Sequence, residues 1–189
     1  GCMRDPRQDR PVIDYYQCQH ELLADNILRY CHTIRQHWPR PVLTGVFYGY
    51  FFSCFNRQAA GGHLALQQVL ASPDVDYLSG PQAYLPQAEK PGEPYRSRSL
   101  LLSVRLHGKL WLDEMDQQPR RVFPFLGGTR DQSDKYEASL AENVAQLRRN
   151  ILFAHSRGTG LWLYDFGPAG MDLNKDSERS PQHGVAGYW

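Results

Sequence analysis

Apolar positions along the chain fall into four stretches of helical spacing and four short continuous runs, and the two kinds alternate. Tyr16, Leu23, Ile27, Tyr30 and Ile34 recur at helical spacing behind Asp14, which is placed as an N-cap, and the helix runs to about Trp38, where Pro39 and Pro41 stop it. A shorter helix is predicted around His63 to Leu70, ahead of Ser72-Pro73. A third covers Arg98 to Leu106, with His107 in its last turn and Gly108 in the left-handed cap position. The fourth is carried by Tyr136, Leu140, Val144, Leu147 and Ile151 to about Ser156, with Gly158 as its stop signal. Between the helices lie Val42 to Tyr48, Val75 to Ser79, Lys109 to Leu112 and Gly160 to Phe166, runs too short for helices and apolar enough for strands covered on both faces.

Such alternation implies an α/β fold with four parallel strands joined by right-handed crossovers. Residues 1–12 read as an exposed lead-in, 13–167 as the α/β domain and 168–189 as an irregular tail rich in glycine and charge. The connections after the strands are long and those before them short, so the functional face is the one that carries Tyr48, Tyr84, Glu114 and Asp165. The third strand matters most, because its apolar run ends in Asp113, Glu114 and Asp116. The carboxyl ends of parallel strands are where ligands bind, so an acid emerging there is placed for chemistry, and Glu114 is the leading catalytic candidate. Aromatic residues crowd the same mouth: Tyr48, Tyr50, Phe51, Phe52, Trp111, Trp162 and Tyr164 suit stacking on sugar faces, and they suit core packing equally well.

Composition narrows the partners. The 189 residues are 41% apolar and 22% charged with a formal charge of +1, enough for one domain with a real core and without the basic footprint of a nucleic-acid or membrane-surface binder. The longest apolar stretch, Leu43 to Phe55, is interrupted by glycines and is too short to span a bilayer, and no apolar secretory segment opens the chain, where Met3 reads as the natural start. Cys2, Cys18, Cys31 and Cys54 have no metal-ligand spacing, and Cys18 and Cys31 fall about 20 Å apart on one helix, so free thiols and a cytoplasmic location are expected. His107 and His155 sit near helix ends, where a favourable dipole interaction accounts for them, His63 lies at a helix start, and no metal or cofactor is predicted. Gly61-Gly62 and Gly127-Gly128 could cradle an anion, but neither is followed by a Lys-Ser/Thr or GxGxxG pattern.

Four segments in order resemble a known family. Thr44 to Tyr50, Asp74 to Leu78 with Pro81 and Tyr84, His107 to Asp116, and Gly160 to Phe166 look like the fifth to eighth strands of a β-galactosidase-like (β/α)8 barrel, glycoside hydrolase family 42 and its relatives in the clan of retaining glycosidases. The resemblance covers roughly residues 12–167 and implies the C-terminal half of a TIM barrel, a (βα)4 unit. It makes Glu114 the nucleophile, sets Tyr84 near it and gives Trp162 to the sugar-binding floor. In that clan the general acid/base is a Glu after an Asn at the end of the fourth strand; no Asn-Glu dipeptide occurs here, and the chain opens at the helix following that strand.

Retaining glycosidases need two carboxyl groups about 5 to 5.5 Å apart. Asp116, Asp165, Glu89 and Glu93 are the alternatives for the second within the chain. The expected ligand is a carbohydrate. A half-barrel would also expose an apolar inner face and two unpaired strand edges, so self-association as a dimer or higher oligomer is expected. The competing reading is a non-catalytic carbohydrate-binding or structural half-barrel.

Overall fold

The computed structural model describes residues 4–52, 58–83, 92–116 and 140–164. Helix α1, Arg10–His37, starts earlier than the periodicity of its apolar residues indicates, because Pro11 stands in its first turn, where a missing N–H costs nothing. Asp14 is therefore inside the helix and pairs with Arg10 at 2.7 Å, while Asp9 occupies the cap position without a capping side-chain bond. His20, Ala24, Ile27 and Cys31 form the buried stripe of α1 at helical spacing.

Strand β1, Gly45–Phe47, is followed by a single 3-10 turn at Gln58–Ala60, helix α2, Leu66–Ala71, and strand β2, Tyr77–Pro81. Helix α3, Leu101–Leu106, gives way at once to strand β3, Leu110–Met115. Gly108 makes that reversal possible with φ +69°, and its N–H closes the helix onto the Arg105 carbonyl. Helix α4, Leu140–Arg157, turns into strand β4, Gly160–Leu163, in the same way, with Gly158 at φ +67°.

The four strands form one parallel sheet in the order β1-β2-β3-β4. The alternation expected from the sequence is thus present, and the sheet is open rather than closed. At its amino-terminal edge Asp76 acts as the fastener. Its carboxylate accepts the Thr44 N–H at 2.7 Å and an Arg35 N–H from α1, and its carbonyl takes the Leu110 N–H at 3.0 Å. Burial alone would raise the Asp76 pKa, but these donors outweigh it and hold the carboxyl below its usual range.

The pleat of the strands sorts the two faces. Leu78 and Trp111, paired in register, pack with Ala24, Ile27 and Cys31 of α1, Leu66, Val69 and Leu70 of α2 and Val104 of α3. Further along, Met115, Leu161 and Leu163 pack with Tyr95, Phe153 and Ala154 of α4. All four helices of the described residues therefore lie on one face. The other carries Phe47, Tyr77, Ser79, Leu110, Leu112, Glu114 and Trp162, and Phe47 is 49% exposed there.

The sheet curls toward that face. Strands three places apart in a flat sheet are separated by about 14 Å, yet the rings of Phe47 on β1 and Trp162 on β4 meet edge to face at 6.0 Å. The Trp162 indole N–H donates to Ser79 Oγ on β2 at 3.3 Å. Glycine at the start of each outer strand makes room on this concave side, where a Cβ at Gly45 would lie 2.5 Å from the Tyr77 ring and one at Gly160 2.5 Å from Leu112 Cδ2.

Candidate functional site

Glu114 lies on the concave face near the carboxyl end of β3, between Pro81 of β2 and Trp162 of β4. It is half-buried, and burial raises its pKa. The Asp116 charge raises it further, and Arg98 pulls it down. Asp113, one residue earlier, points the opposite way and is fully buried among the helices. Its carboxylate accepts hydrogen bonds from Trp111 Nε1 at 2.8 Å, Tyr95 OH at 2.9 Å and Thr159 Oγ1 at 2.8 Å. Burial lifts the Asp113 carboxyl above the usual range although all three donors work against it. The two adjacent acids thus have different work, Asp113 holding the strand end and Glu114 facing out.

A segment ahead of α3 crosses the mouth of the sheet. Ala83 N–H donates to the Arg96 carbonyl at 2.8 Å, Gln82 bridges Ser97, and the N–H groups of Phe51 and Phe52 both donate to the Arg98 carbonyl at 2.9 Å. The Arg98 side chain is only 3% exposed; its Nε donates to the Gln82 carbonyl at 2.7 Å, and its guanidinium carbon lies 5.0 Å from the Tyr50 ring centroid. Among the described residues Gln82 Oε1 and Ser99 Oγ are buried there without a hydrogen-bond partner. Phe51 and Phe52 stand exposed at the same mouth, edge to face at 5.6 Å.

The structure brings together some of the residues singled out from the sequence and separates others. Glu114, Asp116 and Trp162 share the carboxyl end of the sheet, with Asp116 buried. Tyr48 does not offer a face to a ligand. It is 0% exposed, donates its hydroxyl to the Gly62 carbonyl at 3.1 Å and stacks on His63 at 4.8 Å. Trp111 is likewise a core residue, 1% exposed on the helix side, because the pleat that turns Glu114 outward turns Trp111 and Asp113 inward. Glu93 is exposed with its carbonyl held by Arg149 of α4, on the helix side of the sheet. Tyr84, Glu89, Asp165, Cys2, Cys54 and Gly127-Gly128 lie outside the described residues.

Sequence reasoning missed Arg98, Gln82 and the structural work of Asp113. Arg98 was placed inside α3, but the helix begins at Leu101, and the signal was the polar run Arg96-Ser97-Arg98-Ser99, which has no helical period. Among the described residues no group of three or more His, Cys, Asp or Glu could hold a metal ion, and no helix is long and apolar enough to cross a membrane.

His63 packs between the rings of Tyr48 and Tyr50. Its ring is parallel to Tyr50 at 4.5 Å, and Nδ1 accepts the N–H groups of Gly49 at 3.1 Å and Tyr50 at 3.4 Å. Burial, then the charges of His20 and Arg98, push the imidazole down to about 4. Its folded pKa lies below the unfolded value of 6.5, so the unfolded chain binds the extra proton and stability is lost as pH falls from about 6.5 to about 4. With partial solvent screening discounted, that loss is about 2 kcal/mol. Urea unfolding of wild type and His63→Asn at pH 7 and pH 4 checks it: the variant keeps an acceptor oxygen and is expected to lose less stability across the interval.

No protein-family model, curated protein or solved structure matches the chain. The geometry of the strand ends therefore carries the functional argument.

Proposed function

We propose that the chain forms half of a (β/α)8 barrel of the retaining β-glycosidase type, related to the β-galactosidase-like enzymes, with Glu114 as the nucleophile. One observation carries the reading: Glu114 and Trp162 stand side by side on the concave face, opposite the helices of the described residues, at the carboxyl end of a parallel sheet. An indole stacks on the apolar face of a sugar, and a carboxylate beside it reaches the anomeric carbon. Glu114 attacks that carbon and forms a glycosyl ester while the leaving oxygen takes a proton from an acid; water then cleaves the ester and returns the anomeric configuration.

The acid must face the nucleophile across the sugar, whereas Asp116 follows Glu114 on the same strand. In this reading the acid comes from the strands that complete the barrel, and Asp116 binds a sugar hydroxyl. The free thiols of Cys18 and Cys31 fit a cytoplasmic enzyme. The test is hydrolysis of nitrophenyl β-glycosides, followed by labelling with a 2-deoxy-2-fluoro glycoside and peptide mass spectrometry. A covalent adduct on Glu114 is expected. Turnover with the adduct on another residue, or neither turnover nor adduct, defeats the assignment.

The exposure of Phe47, Leu110 and Tyr164 on or beside the concave face favours a second reading, a non-catalytic carbohydrate-binding half-barrel that assembles with another copy. Calorimetric sugar binding without turnover, on a particle that light scattering shows to be larger than a monomer, would select it.

A further inference from the structure

We propose that Ser79 is a positioning residue of this site: its hydroxyl pins the Trp162 indole down across the concave face, so that the ring meets a ligand with its π-face and not with its N–H. The inference rests on the glycosidase reading for the ligand, and on the geometry of the strands for the pin.

Register defines the arrangement. Phe47, Ser79, Leu112 and Gly160 stand opposite one another in a single row across the four strands, and Pro81, Glu114 and Trp162 form a row nearer the carboxyl ends. Gly160 leaves its place in the first row without a side chain. Side chains of a sheet stand upright on their strands, and strands two places apart are separated by about 10 Å. For its N–H to reach Ser79 Oγ at 3.3 Å, the indole must therefore leave its own row and lie down across β3. Two neighbouring rings hold the same pose: Phe47 meets the indole edge to face at 6.0 Å and 79°, and Tyr164 does so at 5.5 Å and 85°. The ring thus forms a floor beside Glu114.

The hydroxyl is matched to this work, because it carries one donor and two acceptor lone pairs. Ser79, only 3% exposed, donates to the Leu112 carbonyl at 2.9 Å and accepts from the indole, so one buried atom ties β2 to β3 and to β4. An indole has a single N–H and no acceptor. With that proton committed to Ser79, Trp162 recognises the C–H face of a sugar and leaves the hydroxyls to other groups.

The test reads the indole directly. The full chain is labelled with nitrogen-15 tryptophan, and among its four indole N–H signals that of Trp162 is assigned by its loss in Trp162→Phe. Ser79→Ala is expected to shift this signal and to speed its exchange with water by about fivefold, the loss of one neutral hydrogen bond, while Ser79→Thr keeps the hydroxyl and stays near wild type. Ligand binding is read without turnover. The affinity of the Glu114→Gln protein for nitrophenyl β-galactoside, measured by calorimetry, should fall about fivefold when Ser79→Ala is added.

Unchanged exchange of the Trp162 proton in Ser79→Ala overturns the pin, and faster exchange with unchanged affinity overturns its role in positioning. Should Ser79→Ala fail to fold, Ser79→Cys fills the same space with a weak acceptor and is judged by the same two measurements. A Glu114→Gln protein that binds no glycoside defeats the glycosidase reading alone and leaves the exchange result standing.

Discussion

Glu114→Gln is expected to lower kcat on a nitrophenyl β-glycoside by about 10³-fold or more without unfolding the protein. The amide has the shape of the carboxylate but is not a nucleophile, and removing the group that forms the covalent intermediate abolishes the chemical step rather than binding. KM for the first step should change little. Stability gives the internal control. The folded pKa of Glu114 is raised, so its contribution is fully present at low pH and is lost as pH rises through the folded value. At pH 7 the ionised side chain is therefore a small burden, and Gln removes it together with its repulsion from Asp116. The urea midpoint of the variant should equal or exceed that of wild type. Full activity in a folded Glu114→Gln protein would remove Glu114 from the mechanism, and lost activity with a lowered midpoint would mean that the side chain serves the fold.

Helix and strand order was legible because each helix ends on a residue with a local reason to stop. Gly108 and Gly158 adopt the positive φ that their positions after the apolar periods require, and Pro39 and Ser72-Pro73 close α1 and α2. The start of α1 was legible too, in Pro11, but the charged residues around it read as an exposed lead-in. The third strand was read only as far as Leu112, since two adjacent carboxylates are poor strand residues. The strand in fact runs to Met115, because the partners that satisfy Asp113, Tyr95 and Thr159, lie 18 and 46 residues away and cannot be seen in a local window. The same blindness hid Arg98, whose partners include the carbonyl of Gln82 and the ring of Tyr50. The alternation of a strand puts Trp111 and Glu114 on opposite faces; which of the two faces meets the helices follows from the packing of residues far away in sequence.

Asp113→Ala is expected to cost about 2 to 5 kcal/mol, a large share of the 5 to 15 kcal/mol that keeps a domain folded. The substitution leaves Trp111 Nε1–H and the Tyr95 hydroxyl buried, with the carboxylate that both use gone, and each orphaned donor costs about 1 to 3 kcal/mol. Thr159 suffers less, because its hydroxyl also reaches the Ala154 carbonyl at 3.1 Å. Asp113→Asn keeps one acceptor oxygen and should cost less than Ala. Its pH dependence identifies the cause. Burial raises the folded pKa of Asp113, so the wild-type contribution is complete below the unfolded pKa and falls as pH rises through the folded one. Asn does not titrate, and the stability gap between wild type and Asp113→Asn should therefore be wider at pH 4 than at pH 7. Urea unfolding at the two pH values measures the gap, and one that widens toward pH 7 would mean that the ionised carboxylate is the favoured form. The network also reaches the chemistry. Through Tyr95 and Thr159, Asp113 ties the end of β3 to the segment that carries Arg98 and to the start of β4, which carries Trp162. Loosening it should lower kcat even where Asp113→Asn remains folded, since Glu114 is the next residue along the same backbone and keeps its aim at the concave face only while that strand end is held.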